Sequence, residues 1–219
     1  MTPEAIYSIL LRANATTACE TFDGHVLACV FSAGVAEVQD GGSFTDALGI
    51  CGTALRHSIG KYFPGTLEQL EAFDLDKEPV IEDDERCLRE LLWRFRTAPS
   101  PLNSLLSSLV SRRATRPNHL WQDIGLSDRS ELSRLMQRHF SLLAQRNNQD
   151  MKWKKFFYRM ICRDEGFRLC TAPSCSECDD FAVCFGDESG ESLLARIRRD
   201  AEMPVQIDVS LISLAIARS

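Results

Sequence analysis

Apolar residues recur at helical spacing along most of this chain, and no strand pattern of comparable strength appears in the first 200 residues. Ile6, Ile9, Leu10 and Ala13 share one face of a helix over residues 3–14. His25 to Val38 predicts a second helix, apolar on nearly every side and therefore buried on most of them; Asp40-Gly41-Gly42 ends it. Ala54 to Phe63 predicts a third, closed by Pro64-Gly65. Asp83 to Arg96 predicts a fourth, with Cys87, Leu88, Leu91, Leu92 and Phe95 as its apolar stripe, and Ala98-Pro99-Ser100-Pro101 breaks it. A short helix is expected over Leu102 to Val110, and the basic, proline-containing Arg112 to Asn118 is a candidate boundary. Ser130 to Arg146 reads as one amphipathic helix on Leu132, Leu135, Met136, Phe140 and Leu143. Met151 to Arg163 follows as another, and a last helix is expected from Glu191 to Ala201. The tail from Val205 to Ile216 alternates over part of its length, as a strand or a loosely packed extension would.

One internal echo stands out. Ala47-Leu48-Gly49-Ile50 followed by Leu55, Ile59 and Phe63 resembles Asp123-Ile124-Gly125-Leu126 followed by Leu132, Met136 and Phe140. The second copy has one extra residue after its glycine. A repeated helical hairpin and a chance likeness between amphipathic helices both account for it.

The chemistry is concentrated in four cysteines within fifteen residues: Cys170, Cys175, Cys178 and Cys184, spaced C-x4-C-x2-C-x5-C. A thiolate is a soft ligand for Zn²⁺, Cu(I) and iron–sulfur clusters, and four this close can converge on one centre without help from the rest of the chain. The residues between them are rich in turn formers, which suits a loop wrapped around a metal. Structural zinc often uses two C-x2-C knuckles a dozen or more residues apart, whereas here there is one such pair with close outliers. The compact order is nearer to the ligand runs of iron–sulfur proteins, with zinc kept as the less favoured alternative. A redox dithiol at Cys175 and Cys178 lacks the βαβ context that motif needs. The expected architecture is thus an all-α, multi-helix single domain over residues 1–200 with a C-terminal cysteine-rich metal-binding loop at 170–184. Residues 201–219 form an extension with no assigned role.

Bulk properties narrow the class. With 219 residues, 44% apolar and 26% charged, the chain buries a real core. A net charge of −6 argues against a nucleic-acid partner. No apolar run appears long enough to span a bilayer, and the start lacks the basic region of a secretory signal, so no membrane and a cytoplasmic location are expected. In that reducing compartment nine cysteines read as thiols or ligands rather than disulfides. Cys19, Cys29, Cys51 and Cys87 read as small buried hydrophobes, while Cys162, eight residues before Cys170, is a candidate for the same site.

The helix before the loop carries Lys152, Lys155, Arg159 and Arg163 on one stripe, and Trp153, Phe157, Met160 and Ile161 largely on another face. The stripe is either a solvated face or a positive surface that offsets thiolate charge, attracts an oxyanion or docks an acidic partner. His119 beside Trp121, in an expected loop, and His139 near a helix end are candidate ligands or donors to ligands, each with a plain structural explanation. Asp179 and Asp180 lie inside the cysteine loop, and the acidic run Glu82-Asp83-Asp84-Glu85 suits a helix N-terminal turn. No nucleotide-binding pattern and no nucleophile–base pair appears, so no enzymatic activity is expected.

Three stretches together resemble the NifQ family of nitrogen-fixation proteins. They are Met151-Lys152-Trp153-Lys154-Lys155-Phe156-Phe157-Tyr158-Arg159, the run Cys170-Thr171-Ala172-Pro173-Ser174-Cys175-Ser176-Glu177-Cys178, and Asp180-Phe181-Ala182-Val183-Cys184-Phe185-Gly186. His119-Leu120-Trp121-Gln122-Asp123-Ile124-Gly125-Leu126 and Arg138-His139-Phe140 resemble it too. The resemblance is strongest over residues 119–186 and looser over 20–65. It implies a carrier of a molybdenum–iron–sulfur (Mo-Fe-S) centre that supplies molybdenum for the nitrogenase iron–molybdenum cofactor. It further implies Cys170, Cys175, Cys178 and Cys184 as the cluster ligands. The implied partners are the scaffold complex NifEN, the iron protein NifH and a molybdate source.

Overall fold

Side chains start the helices where the sequence offers them. Thr2 Oγ1 accepts from the Ala5 N–H at 3.3 Å, Ser43 Oγ from Asp46 at 3.3 Å, and Ser100 Oγ from Asn103 at 3.1 Å. Asp128 Oδ1 accepts from Ser130 at 2.7 Å and Glu131 at 3.2 Å. Each such cap is worth about 1 kcal/mol. The computed structural model describes residues 1–14, 18–39, 42–164, 183–184, 186–188 and 190. Among them run eleven helices and no strand. They are α1 (Pro3–Ala13), α2 (Thr21–Gln39), α3 (Phe44–Leu48), α4 (Gly52–Tyr62), α5 (Leu67–Glu71) and α6 (Asp83–Arg94). The second half holds α7 (Pro101–Ala114), α8 (Leu120–Ile124), α9 (Arg129–His139), α10 (Ser141–Arg146) and α11 (Trp153–Asp164). The fold is all-α, a multi-helix single domain.

Helix α2 is the axis of the core. Val26 through Phe31, with Ala33 and Val35, are buried, and the helix packs on α1, α3 and α8. Full burial of one such Val or Phe side chain contributes about 1.5–3 kcal/mol. One expectation needs correcting here: Thr21–Val38 is long and apolar enough to cross a bilayer. Yet 67% of that stretch is buried inside the fold, and its acidic residues are paired, Asp23 with Arg138 and Glu37 with Arg113 and Arg116. These are the marks of a core helix.

The sequence echo is a structural repeat. Helices α3 and α8 each have five residues and stop at a left-handed glycine, Gly49 at φ 66° and Gly125 at φ 85°. In each, the next N–H reaches back five residues, Ile50 to Thr45 O at 3.3 Å and Leu126 to Trp121 O at 2.9 Å. That pattern satisfies the orphan carbonyls of a helix end, and glycine is the residue that adopts it without strain. Helices α4 and α9 then each run eleven residues and end at a phenylalanine with φ −137°, Phe63 and Phe140. Both phenylalanine N–H groups bond the carbonyl four residues back at 2.8 Å. The long helices before the two units each pack on both of them, α2 on α3 and α8, and α7 on α8 and α3. A Cβ at Gly125 would lie 3.1 Å from Cys29 O of α2, and one at Gly49 would lie 2.6 Å from Arg112 Nε of α7. Each long helix therefore passes directly over the glycine that ends the other unit's short helix.

Several boundaries differ from expectation. Ser130 to Arg146 is two helices, because Phe140, at φ −137° and ψ 48°, leaves helical geometry between α9 and α10. The five-residue helices α3, α5 and α8 are too short to show periodicity. Arg112 to Asn118 is not a boundary, since Arg113 is 1% exposed and bridges the two halves. Its Nε donates to Asp123 O at 2.6 Å and its Nη1 to Ala47 O at 3.2 Å, beside the Glu37 carboxylate. The acidic run does open α6, but Glu85 is buried and pairs with Arg89 at 2.6 Å and Arg112 at 3.0 Å. The expected helix from Glu191 to Ala201 and the tail fall outside the described residues.

Candidate metal centre

Cys184 is held at the N-terminal end of α11, where its carbonyl accepts the Lys152 N–H at 2.8 Å and its half-buried side chain packs against the core. Four residues on, the Glu188 side chain is 5% exposed and fixed from two helices. Arg129 of α9 pairs with it through Nη1, and His119 Nδ1 lies 3.4 Å from Oε1. The other guanidinium nitrogen of Arg129 bonds Asp150 Oδ1 at 2.8 Å, Asp150 O at 3.0 Å and Met151 O at 3.1 Å. One arginine thus ties the stretch after Cys184 to the turn that begins α11.

Helix α11 spans twelve residues, about 18 Å at 1.5 Å per residue. The chain leaves its C-terminal end at Asp164 and is back at its N-terminal end by Cys184. Cys170, Cys175 and Cys178, with Asp179 and Asp180, lie outside the described residues. Among the described residues no group of three or more His, Cys, Asp or Glu could hold a metal ion.

The Trp-Lys-Lys-Phe run divides its labour by face. Trp153, Phe156 and Phe157 are buried, with Trp153 edge-on to Phe156 at 5.9 Å and tilted to Phe157 at 5.8 Å. Lys154 turns inward, donating to the Arg116 carbonyl and, at 2.5 Å, to Asp123 Oδ2. Burial pushes the Lys154 pKa down, against the opposing pull of Asp123. Lys155 and Arg159 are exposed one turn apart, and Lys152 is half-buried.

His119 and His139 have different fates. His119 is the N-cap of α8 rather than a loop residue, and Gln122 Oε1 accepts its backbone N–H at 3.2 Å. Its ring faces the Glu188 carboxylate, so it supports the segment that carries Cys184. His139 is committed to the core: Nε2 lies 2.8 Å from Asp23 Oδ1 and Nδ1 lies 3.1 Å from Asn103 Oδ1. With both ring nitrogens engaged, His139 is not placed to bind a metal. Burial raises the Asp23 carboxyl pKa, but hydrogen bonds and charge from His139 and Arg138 outweigh it and hold the carboxyl below its ordinary value.

The remaining described cysteines fit the plain reading in part. Cys19 and Cys29 are buried, and burial pushes both thiols up, Cys19 to about 11. Cys51 is half-buried at the N-cap of α4, where the Thr53 hydroxyl and the Ala54 N–H lower its pKa. Cys87 and Cys162 are half-buried, Cys162 in the last turn of α11. Sequence reasoning does not reach Arg129 and Glu188, which fix the stretch after Cys184. They are 59 residues apart and belong to no motif.

Comparison with known proteins agrees with the motifs. The NifQ family model matches residues 26–186, a range that spans all four clustered cysteines. The chain is 40% identical over 172 residues to the protein NifQ homolog of Sinorhizobium fredii, covering 78% of this chain and 75% of that one. It is 38% identical over 165 residues to protein NifQ of Rhodobacter capsulatus, covering 74% and 89%. Against protein NifQ of Azotobacter vinelandii it is 39% identical over 115 residues, covering 51% and 59%. No solved structure matches. The chain belongs to the NifQ family, the non-catalytic carrier proteins of nitrogen fixation.

Proposed function

We propose that this protein carries a molybdenum–iron–sulfur cluster on Cys170, Cys175, Cys178 and Cys184 and gives up its molybdenum for assembly of the nitrogenase iron–molybdenum cofactor. The observation that carries this reading is the family match across all four cysteines, joined to the fixed position of Cys184 beside the basic helix α11. The donor set suits the cargo: thiolates are soft, deprotonated ligands that hold iron, leaving molybdenum at the accessible side of the cluster. Lys155 and Arg159 supply exposed positive charge on the same helix, which favours a negatively charged thiolate cluster and an acidic partner surface. NifEN and NifH are the partners this role requires, in the cytoplasm. Residues 1–200 form the carrier domain, and 201–219 are given no part in it.

The test is metal and sulfide analysis of protein purified without oxygen from molybdate-fed cells, beside Cys178→Ala. Iron, sulfide and molybdenum together in the wild type, all reduced in the variant, are expected. Zinc alone would sink the reading and leave a structural site, and iron without molybdenum would make the protein a redox carrier.

A further inference from the structure

Beside α11 lies a cavity of about 770 Å³ with no cysteine among its described lining residues. It is lined by Gln145, Arg146, Asn147, Asn148, Gln149, Met151, Phe156, Arg159 and Met160. Two guanidiniums and four carboxamides face it over an apolar floor, and no carboxylate is among the described lining residues. This composition suits an anion: guanidinium offers several N–H donors in a fixed fork, and carboxamides add donors without adding charge.

The rim is built rather than loose. Asn147 Oδ1 accepts from the Met151 N–H at 2.9 Å and its Nδ2 donates to Met151 O at 2.9 Å, closing the turn between α10 and α11. Asp150, held at φ 54°, is the acidic residue in that turn, and Arg129 takes its carboxylate at 2.8 Å. Arg146 stacks over Phe95 with its guanidinium carbon 4.3 Å from the ring centroid, which leaves the edge of the group for hydrogen bonds. Arg159 rises from α11 with enough donors to serve an anion beside any other contact it makes. Met151, on the rim, is followed at once by Lys152, whose N–H holds Cys184.

We infer that this cavity is a reception site for a tetrahedral oxodianion, held by Arg146 and Arg159, and that the anion is molybdate. The assignment to molybdate rests on the proposed function; the anion class rests on the cavity. No thiol is among the described lining residues, so the site would receive the metal as an oxyanion before any sulfur ligation.

The experiment is equilibrium dialysis of molybdate against the full-length, cluster-free protein at low ionic strength. Wild type is compared with Arg146→Gln, Arg159→Gln, Cys178→Ala and the charge-matched control Arg86→Gln, each checked for native helicity. Losing one charge-assisted contact is expected to weaken binding about tenfold in each lining variant. Cys178→Ala and Arg86→Gln are expected to bind like wild type. No binding by wild type, equal binding by the two lining variants, or equal weakening in Arg86→Gln would overturn the site. Loss of binding in Cys178→Ala alone would place molybdate on the thiolates instead. Sulfate or phosphate competing as well as molybdate competes with itself would overturn the assignment to molybdate. The cluster reading fails separately, on the metal analysis of loaded protein.

Discussion

Lys154 Nζ lies 2.5 Å from Asp123 Oδ2, a charge pair largely shut off from water that joins α11 to α8. Asp123 also accepts from Asn118 Nδ2 at 2.9 Å, and its carbonyl accepts from Arg113. Removing one partner of a buried pair leaves the other charged and unsolvated. Lys154→Met is therefore expected to cost about 3 kcal/mol, read as a lower urea midpoint at unchanged slope. A cost under about 0.5 kcal/mol would show that the pair is solvated in solution.

The Asp23 network gives the fold a defined acid sensitivity. The carboxyl's folded pKa lies below its ordinary value of 3.8, so in mild acid the unfolded chain binds the extra proton first. The stability it contributes is complete above about pH 4 and drains away as pH falls through the lower folded value. Asp23→Asn is expected to cost about 3 kcal/mol at neutral pH, leaving His139 and Arg138 without their shared partner. The gap between wild type and variant should shrink as urea titrations move from pH 6 towards pH 2. A gap that stays constant across that range would remove Asp23 from the acid response.

Two glycines predict opposite signs. Gly125 sits at φ 85° beneath Cys29 O, and Gly125→Ala is expected to destabilise by about 1–3 kcal/mol through left-handed backbone strain. Gly60 lies within α4 with nothing within 4 Å of its would-be Cβ, and Gly60→Ala is expected to stabilise by about 0.5–1 kcal/mol. Thermal melts of the two variants read both; a destabilised Gly60→Ala would mean that α4 frays in solution.

Under the proposed carrier role, Lys155 separates delivery from loading. It is exposed on α11 and does not line the cavity that holds Arg159. Lys155→Glu is expected to leave iron and molybdenum content unchanged, slow molybdenum transfer to NifEN by about tenfold, and weaken the salt dependence of that transfer. Transfer at the wild-type rate would return the residue to an ordinary solvated face.

Helix type and number of long elements were legible because their periodicity runs three turns or more, as in α1, α4, α6 and α11. What the pattern hides is whatever periodicity does not encode. The break at Phe140 keeps apolar residues in step on both sides, so α9 and α10 read as one. Arg113 carries a charge that composition assigns to the surface, yet Glu37, 76 residues away, and two backbone carbonyls make its burial tolerable. The repeat was visible because αL glycines and the apolar residues after them leave a mark in sequence, although the packing of α2 and α7 across both units leaves none. The cysteine spacing marks out a candidate metal loop in sequence, most of it outside the described residues, whereas the residues fixing Cys184 needed the fold to bring Arg129 and Glu188 together.

If the protein carries the proposed cargo, the anchors at the two ends of α11 bear on how that cargo leaves. Asp164 and Cys184 lie about one helix length apart, roughly 18 Å, at the two ends of α11. The nineteen residues between them, 165–183, would reach roughly 60 Å if drawn out straight, so the span asks little of them. Both attachment points are set by the helical domain's own bonds, as jaws are set by their hinge and not by what they hold. Under the proposed role, unloading would then be uncoupled from unfolding.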